Sequence, residues 1–167
     1  VKQIMRSFME LTNIGEIKRL FERHGFSFTK SLGQNFLVNP SVCPRIAELG
    51  GADKSVCALE IGTGVGVLTK ELALRAKKVV AVEIDEGLKP ILAETLDGFD
   101  NISVVFGDVL KLDLKQLFAD NFSGENVVVC ANLPYYITSP VIMALLEQQL
   151  PIRSITVMVQ KEAAERI

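Results

Sequence analysis

The sequence predicts an α/β fold, a Rossmann-like parallel sheet flanked by helices. Three observations point there. Short apolar segments near 56–61, 78–83, 102–106, 126–131 and 154–159 alternate with stretches that can form helices, and strand–helix alternation implies parallel strands joined by right-handed crossovers. The apolar share is 49% and mean hydropathy is +0.30, yet runs such as Val127 to Ala131 are far too short to span a membrane. High apolar content in short runs is what strands buried on both faces require. Finally, the first strand, VCALEI, runs into Gly62-Thr63-Gly64-Val65-Gly66 and then a helix bearing Leu68 and Leu72. A glycine turn at that place lets backbone approach a ligand at a helix N-terminus.

The elements follow in order. Lys2, Arg6 and Glu10 interrupt the first ten residues, so they contain no apolar signal core; Ile4, Phe8 and Leu11 are spaced as on a helix. Residues 13–24 read as a helix, with Asn13 and Glu16 at capping-box spacing, Ile14, Ile17, Leu20 and Phe21 on one face, and Gly25 as the stop. His24, the single histidine, falls at that helix end, where a cation complements the dipole. Asn39-Pro40 predicts the start of a second helix with proline at its first position, closed by Gly50-Gly51.

The bulk numbers exclude little else. A chain of 167 residues suits one domain. Cys43, Cys57 and Cys130 are odd in number and lack metal-ligand spacing, so they read as reduced structural thiols of a cytoplasmic protein, with no metal site. Net charge is −2; residues 1–50 hold seven Lys/Arg against four Asp/Glu, and residues 51–100 hold six against nine. A mildly basic front is compatible with an RNA-facing edge and equally with an ordinary solvated helix face.

The strand ends hold the chemistry. The glycine spacing is GxGxG, with Val67 where a dinucleotide fingerprint places its third glycine. Glu60, just ahead of the loop, would repel a pyrophosphate and attract an ammonium; a nicotinamide-dependent oxidoreductase fails on both counts. Glu83 ends the second strand, where a carboxylate can accept ribose hydroxyls. Asp108 follows the third strand and can accept from the exocyclic amine of an adenine, or cap a turn. One ligand satisfies the loop and both acids: S-adenosylmethionine, which has a cationic tail and no phosphates. The fourth strand ends in Asn132-Leu133-Pro134-Tyr135. The Asn132 side-chain oxygen and the Leu133 carbonyl can accept the two N–H bonds of an adenine amine, aiming its lone pair at a methyl donor. Pro134 stiffens the loop, and Tyr135 offers a stacking face worth about 1–3 kcal/mol. Gln34 and Asn35, in the polar-apolar segment ahead of the first strand, could contact the methionine end of the same ligand.

Taken together, KSLGQNFL, LEIGTGVGVLT, VVAVEID, FGDVL and NLPYYITSP resemble the KsgA family of ribosomal RNA adenine dimethyltransferases, in order from about Lys30 to the C-terminus. The GxGxG loop is shared by most S-adenosylmethionine methyltransferases and NLPY-like tetrads by many amine methylases; GQNFL narrows the choice. The resemblance implies a class I methyltransferase fold and transfer of two methyls to each of two adjacent adenosines near the 3′ end of small-subunit rRNA. It implies cofactor contacts at Asn35, Leu37, Gly62, Glu83, Asp108 and Asn132, with Gln34, Glu60 and Gly64 close by, and the target adenine on Asn132, Leu133 and Tyr135. Such chemistry requires the base to leave its stack. The implied partner is small-subunit rRNA or an immature small subunit, engaged by a monomer when complete. The related large-subunit methylases that confer macrolide resistance more often carry Ile after the Asn and usually lack the Gly before Gln-Asn, so Leu133 and Gly33 favour the small subunit. A non-catalytic ribosome assembly factor of the same fold is opposed by the intact Asn132 and Tyr135.

Residues 1–167 therefore read as one methyltransferase domain: 1–50 as N-terminal helices and a cofactor-covering segment, 56–167 as the core. Five strands are legible where such sheets normally have seven, and family members continue with further strands and a small helical domain that helps engage RNA. The expectation is a chain that binds cofactor, methylates RNA poorly alone, and leaves strand 154–159 at an edge.

Overall fold

The computed structural model describes residues 10–27 and 39–159. Its elements are α1 (Ile14–His24), α2 (Val42–Leu49), β1 (Cys57–Ile61), α3 (Val67–Arg75), β2 (Lys78–Glu83), α4 (Lys89–Thr95, entered through a short 3₁₀ turn at Glu86–Leu88), β3 (Ile102–Phe106), α5 (Leu114–Phe122), β4 (Val127–Asn132), α6 (Tyr135–Glu147) and β5 (Ile152–Met158). The five strands form one parallel sheet in the order β3-β2-β1-β4-β5. The chain winds outward from β1 to β3, then returns across β1 to β4. The order therefore reverses between β1 and β4, and a crevice opens at their C-terminal ends.

Period-two alternation assigns each strand residue to a face. Leu59, Ile61, Val80, Val82, Val127 and Val129 pack against Leu114, Phe118 and Phe122 of α5 and Val141 and Leu145 of α6. Ala58, Val79, Val128 and Cys130 meet Cys43, Ile46 and Ala47 of α2 and Leu68 and Leu72 of α3 on the other face. On that side α1 and α4 enclose a further cluster of Leu20, Phe21, Leu88, Ile91 and Leu92, which Ile102, Val104 and Phe106 of β3 extend. Cys43, Cys57 and Cys130 are free, buried thiols in these layers. Among the described residues no helix is long and apolar enough to cross a membrane.

The strands lie within two residues of their expected limits. β5 starts early, at Ile152, because an irregularity at Val127/Val128 lets Ile152 pair with Val127 and Ser154 with Val128. β4 runs one residue further than expected, so Asn132 is still a strand residue, opposite Met158. On the described sheet β5 is an edge, as expected, and β3 is the other.

Two helix starts differ from expectation. Asn13 caps α1, its Oδ1 accepting from Gly15 N at 2.8 Å and Glu16 N at 3.3 Å. The reciprocal half of the capping box is missing, because Glu16 pairs with Arg19 and the Asn13 N–H donates to the Glu10 carbonyl at 2.9 Å. Proline does not open α2. Asn39 Oδ1 accepts from Ser41 N at 3.0 Å and Ser41 Oγ at 2.8 Å, which holds Asn39-Pro40 in a turn and delays the helix to Val42. His24 and Arg23 at the end of α1 both reach Glu94 of α4, His24 Nε2 lying 2.6 Å from its Oε2. They pull that carboxyl below its ordinary range, the His24 contact most strongly, so His24 fastens two helices.

Candidate active site

Four strand ends converge on one cavity of about 310 Å³. Backbone hydrogen bonds join three of them, those of β1, β2 and β3: Gly62 N donates to Val82 O at 2.9 Å, and Gly107 N donates to Glu83 O at 2.8 Å. Beyond β1 the chain turns through Gly62, Gly64 and Gly66 at φ 81°, 55° and 90°, the left-handed region that side-chain-bearing residues avoid. Gly66 then starts α3, its carbonyl accepting from Lys70 N at 3.1 Å. The N-terminus of α3 thus opens beside the cavity wall formed by Gly62, Thr63, Gly64 and Val65.

Glu83 closes the next side. It is buried, with Oε2 accepting from Gly64 N and Oε1 from Asp85 N, both at 2.9 Å. One carboxylate therefore ties the glycine loop to the end of β2. An ionised carboxyl has about four lone-pair sites, so capacity for further donors remains. Burial raises its pKa; the N–H groups of Asp85 and Gly64 oppose that rise, and the Asp85 charge adds to it.

Glu60 is the outlier. It is fully buried near the end of an otherwise apolar strand, lines the cavity, and among the described residues has no hydrogen-bond partner on either oxygen. Desolvation pushes its pKa far upward; the nearby Thr69 hydroxyl, not in hydrogen-bonding geometry, moderates this, and the Glu83 charge reinforces it. Thr63 Oγ1, also on the wall, is buried and likewise without a partner among the described residues. Buried polar atoms left without partners are rare and costly, and here they face a cavity.

At the end of β3, Asp108 lines the cavity while doing structural duty. Its Oδ1 accepts from Leu110 N at 3.0 Å, and its Oδ2 lies 3.3 Å from Lys111 Nζ. Asn132, Leu133 and Pro134 complete the wall from β4. Pro134 stands as the cap of α6, its carbonyl accepting from Ile137 N at 3.2 Å and Thr138 Oγ1 at 3.1 Å, which fixes how the tetrad leaves the strand.

The structure thus brings Glu60, Gly62, Gly64, Glu83, Asp108, Asn132, Leu133 and Pro134 around one space. Tyr135 begins α6, but its side chain lies outside the described residues, as do Gln34, Asn35 and Leu37. Sequence reasoning missed an apolar wall made of Ile84, Val109, Leu110 and Ile137. The signal was present: Ile84 and Leu110 are bulky apolar residues in loops beside acids, and both remain about half exposed at the cavity.

This arrangement has known counterparts. A family model described as "Ribosomal RNA adenine dimethylase" matches residues 25–167. The chain belongs to that family. Among ribosomal RNA adenine dimethylase relatives, it is 50% identical over 151 residues to the ribosomal RNA small subunit methyltransferase A of Anoxybacillus flavithermus, covering 90% of this chain and 51% of that protein. The protein of the same name from Geobacillus thermodenitrificans is 49% identical over 159 residues, covering 95% of this chain and 54% of the relative. The crystal structure of the 23S rRNA methyltransferase ErmE superposes with a TM-score of 0.68 at 36% identity, covering 78% of this chain and 50% of that one. The chain spans about half the length of the curated relatives it matches. Its fold is that of the class I S-adenosylmethionine-dependent methyltransferases, as the sequence predicts.

Proposed function

We propose that this chain is the cofactor-binding part of an S-adenosylmethionine-dependent adenine N6,N6-dimethyltransferase acting on small-subunit rRNA. The observation that carries the reading is the single cavity where Glu60, the glycine loop, Glu83, Asp108 and Asn132 converge. The residues present fit the cofactor. Unpartnered carboxylate oxygens at Glu60 suit an ammonium, the turn at Gly62 and Gly64 admits close backbone approach, and Glu83 retains acceptor capacity for ribose hydroxyls. Asp108 serves the adenine amine, with Ile84, Val109 and Leu110 as apolar surface for the ring. Gln34 and Asn35 of the preceding segment join the methionine end, and Leu37 is a further cofactor contact. When bound, the cofactor supplies an electrophilic methyl group on a sulfonium.

The remaining work falls to this chain's own residues. The amine of adenine is a poor nucleophile because its lone pair is delocalised into the ring. Asn132 Oδ1 and the Leu133 carbonyl accept its two N–H bonds, favour a pyramidal nitrogen and fix its direction. Pro134 holds these two acceptors at the entrance of α6, and Tyr135 stacks on the extruded base. No general base need act before attack, since the proton can leave the methylated amine afterwards.

Identity near one half to proteins named as small-subunit methyltransferases, against 36% to a 23S rRNA enzyme, supports the small subunit as target. Leu133 and Gly33 point the same way. The protein then works in the cytoplasm, on rRNA or immature subunits, as one domain whose residues 1–50 supply N-terminal helices and a cofactor-covering segment. Two measurements test this. Calorimetric titration with S-adenosylmethionine should show saturable binding that Glu83→Ala, folded by circular dichroism, loses. Labelled methyl groups offered with undermethylated subunits of both kinds should enter small-subunit rRNA only weakly with this chain alone, and whatever enters should depend on Asn132; label in large-subunit rRNA instead would overturn the target assignment.

A further inference from the structure

We propose that Glu60 is protonated in the ligand-free site and releases its proton when the ammonium of a ligand's amino-acid end enters, so that the cavity selects its ligand by charge. This rests on the cofactor reading given above. The geometry behind it is local. Glu60 is completely buried, lines the cavity, and among the described residues neither oxygen has a hydrogen-bond partner. An ionised carboxylate in such a place would lack both solvation and pairing, a state proteins avoid by neutralising the group.

The surroundings offer no relief. From β2 the facing group is Glu83, itself an acid. From β4 and α2 come Cys130 and Cys43, whose thiols are pushed up to about 12 by burial first and then by a charged Glu60, so they stay neutral. From α3 come Thr69, whose hydroxyl makes no hydrogen bond, and Glu71, which is paired with Arg75. Lys70 of the same helix has its ammonium disfavoured by burial alone, with no carboxylate holding it charged. Lys54 is spent on the Ala73 and Ala76 carbonyls at the far end of α3. Among the described residues no cation pairs with Glu60. Its raised pKa has desolvation as the leading cause, in keeping with this geometry.

The exchange balances. The Glu60 O–H bond breaks, its electron pair stays on the carboxylate, and the proton goes to solvent as one ammonium enters. The charge of the entering ammonium therefore replaces that of the departing proton, and Glu60 becomes ionised only with a partner beside it. A ligand lacking the ammonium leaves the proton in place. One carrying a second carboxylate there instead meets a neutral wall that cannot compensate it. Glu60 so acts as a positioning and selecting group, and binding of the cationic tail strengthens as pH rises through the ligand-free pKa of Glu60.

Calorimetry decides the matter, with S-adenosylhomocysteine and 5′-methylthioadenosine as probes. Both present adenine and ribose to Asp108 and Glu83, and only the first has an amino-acid end. Titrations run at about pH 6.5, where a free amino acid's α-amino group, more basic than a peptide N-terminus of pKa about 7.7–8.0, enters charged, in buffers of low and high ionisation enthalpy such as phosphate and imidazole. The dependence of apparent enthalpy on the buffer counts protons released. Any proton that Glu83 exchanges with ribose appears in both titrations and cancels. The expected result is greater release with S-adenosylhomocysteine, by up to one proton, and loss of that excess in Glu60→Gln, which keeps the shape of the neutral acid. Equal release from both probes by the wild-type chain would overturn the proton exchange and leave the cofactor reading standing. Binding of neither probe by the folded chain would overturn both. The wild-type comparison suffices should Glu60→Gln fail to fold.

Discussion

At the scale of single residues, Glu83 and Glu60 are two carboxylates with opposite surroundings. Glu83 accepts two buried N–H bonds, from Gly64 and Asp85, and so joins two ligand-facing loops. Glu83→Ala should leave both donors unmet, at about 1–3 kcal/mol each, and weaken S-adenosylmethionine binding at least about tenfold, or ~1.4 kcal/mol. Denaturant midpoints and calorimetry measure the two effects separately. Glu60 lacks such donors, and its titration predicts how stability depends on pH. Its folded pKa lies above the unfolded value of about 4.3, so between the two the folded chain binds more protons than the unfolded one. Stability from this group is complete below the unfolded pKa and is lost as pH rises toward the folded one. Glu83, raised less, contributes a slope of the same sign. Urea midpoints at mildly acidic and mildly alkaline pH should therefore fall for the wild type and fall less for Glu60→Gln. An unchanged slope in that variant would mean that Glu60 is ionised throughout.

The element scale explains why the glycine turn is so constrained. Gly66, at φ 90°, starts α3 over the end of α4, where an added Cβ would lie 2.8 Å from Leu96 Cδ2 and 3.3 Å from Thr95 Oγ1. Gly25, at φ 62°, ends α1 in open space. Alanine at Gly25 should cost only the left-handed backbone penalty, about 1–2 kcal/mol. Alanine at Gly66 adds a clash and should cost about 3 kcal/mol or more, read as a difference in unfolding free energy between the two variants. Equal losses would show that Leu96 yields without cost. The same scale separates what was legible from what was not. Strand ends were readable because an apolar run stopping at Glu60, Glu83 or Asn132 is a local pattern that topology then gathers at one edge. The start of α2 was not, because proline at a helix start and proline in an Asn-led turn share a sequence signal, and the Asn39–Ser41 bonds decide between them. Ile84 and Leu110 were missed because half-exposed apolar loop residues have meaning only once the cavity between strands exists.

For the whole molecule, the cavity sits on the seam where the sheet reverses direction, with walls from β1, β2, the β3 end and β4. A ligand there would bridge both halves of the sheet, which are otherwise joined by the β1–β4 ladder and the layers beneath it. Binding to the folded state alone should add about 2.7 kcal/mol when ligand is present at 100 times its Kd. For a domain of this size that is roughly 5–10 °C in melting temperature. The gain should not be uniform. Backbone amides of 62–65, 107–110, Leu133, Tyr136 and Ile137 border the cavity and should acquire most hydrogen-exchange protection. The α1–α4 junction at Glu94 lies apart from that wall and should change little. A ligand that raised the melting temperature while protecting only the α1–α4 side would be bound elsewhere, and the site at the four strand ends would lose its claim to the cofactor.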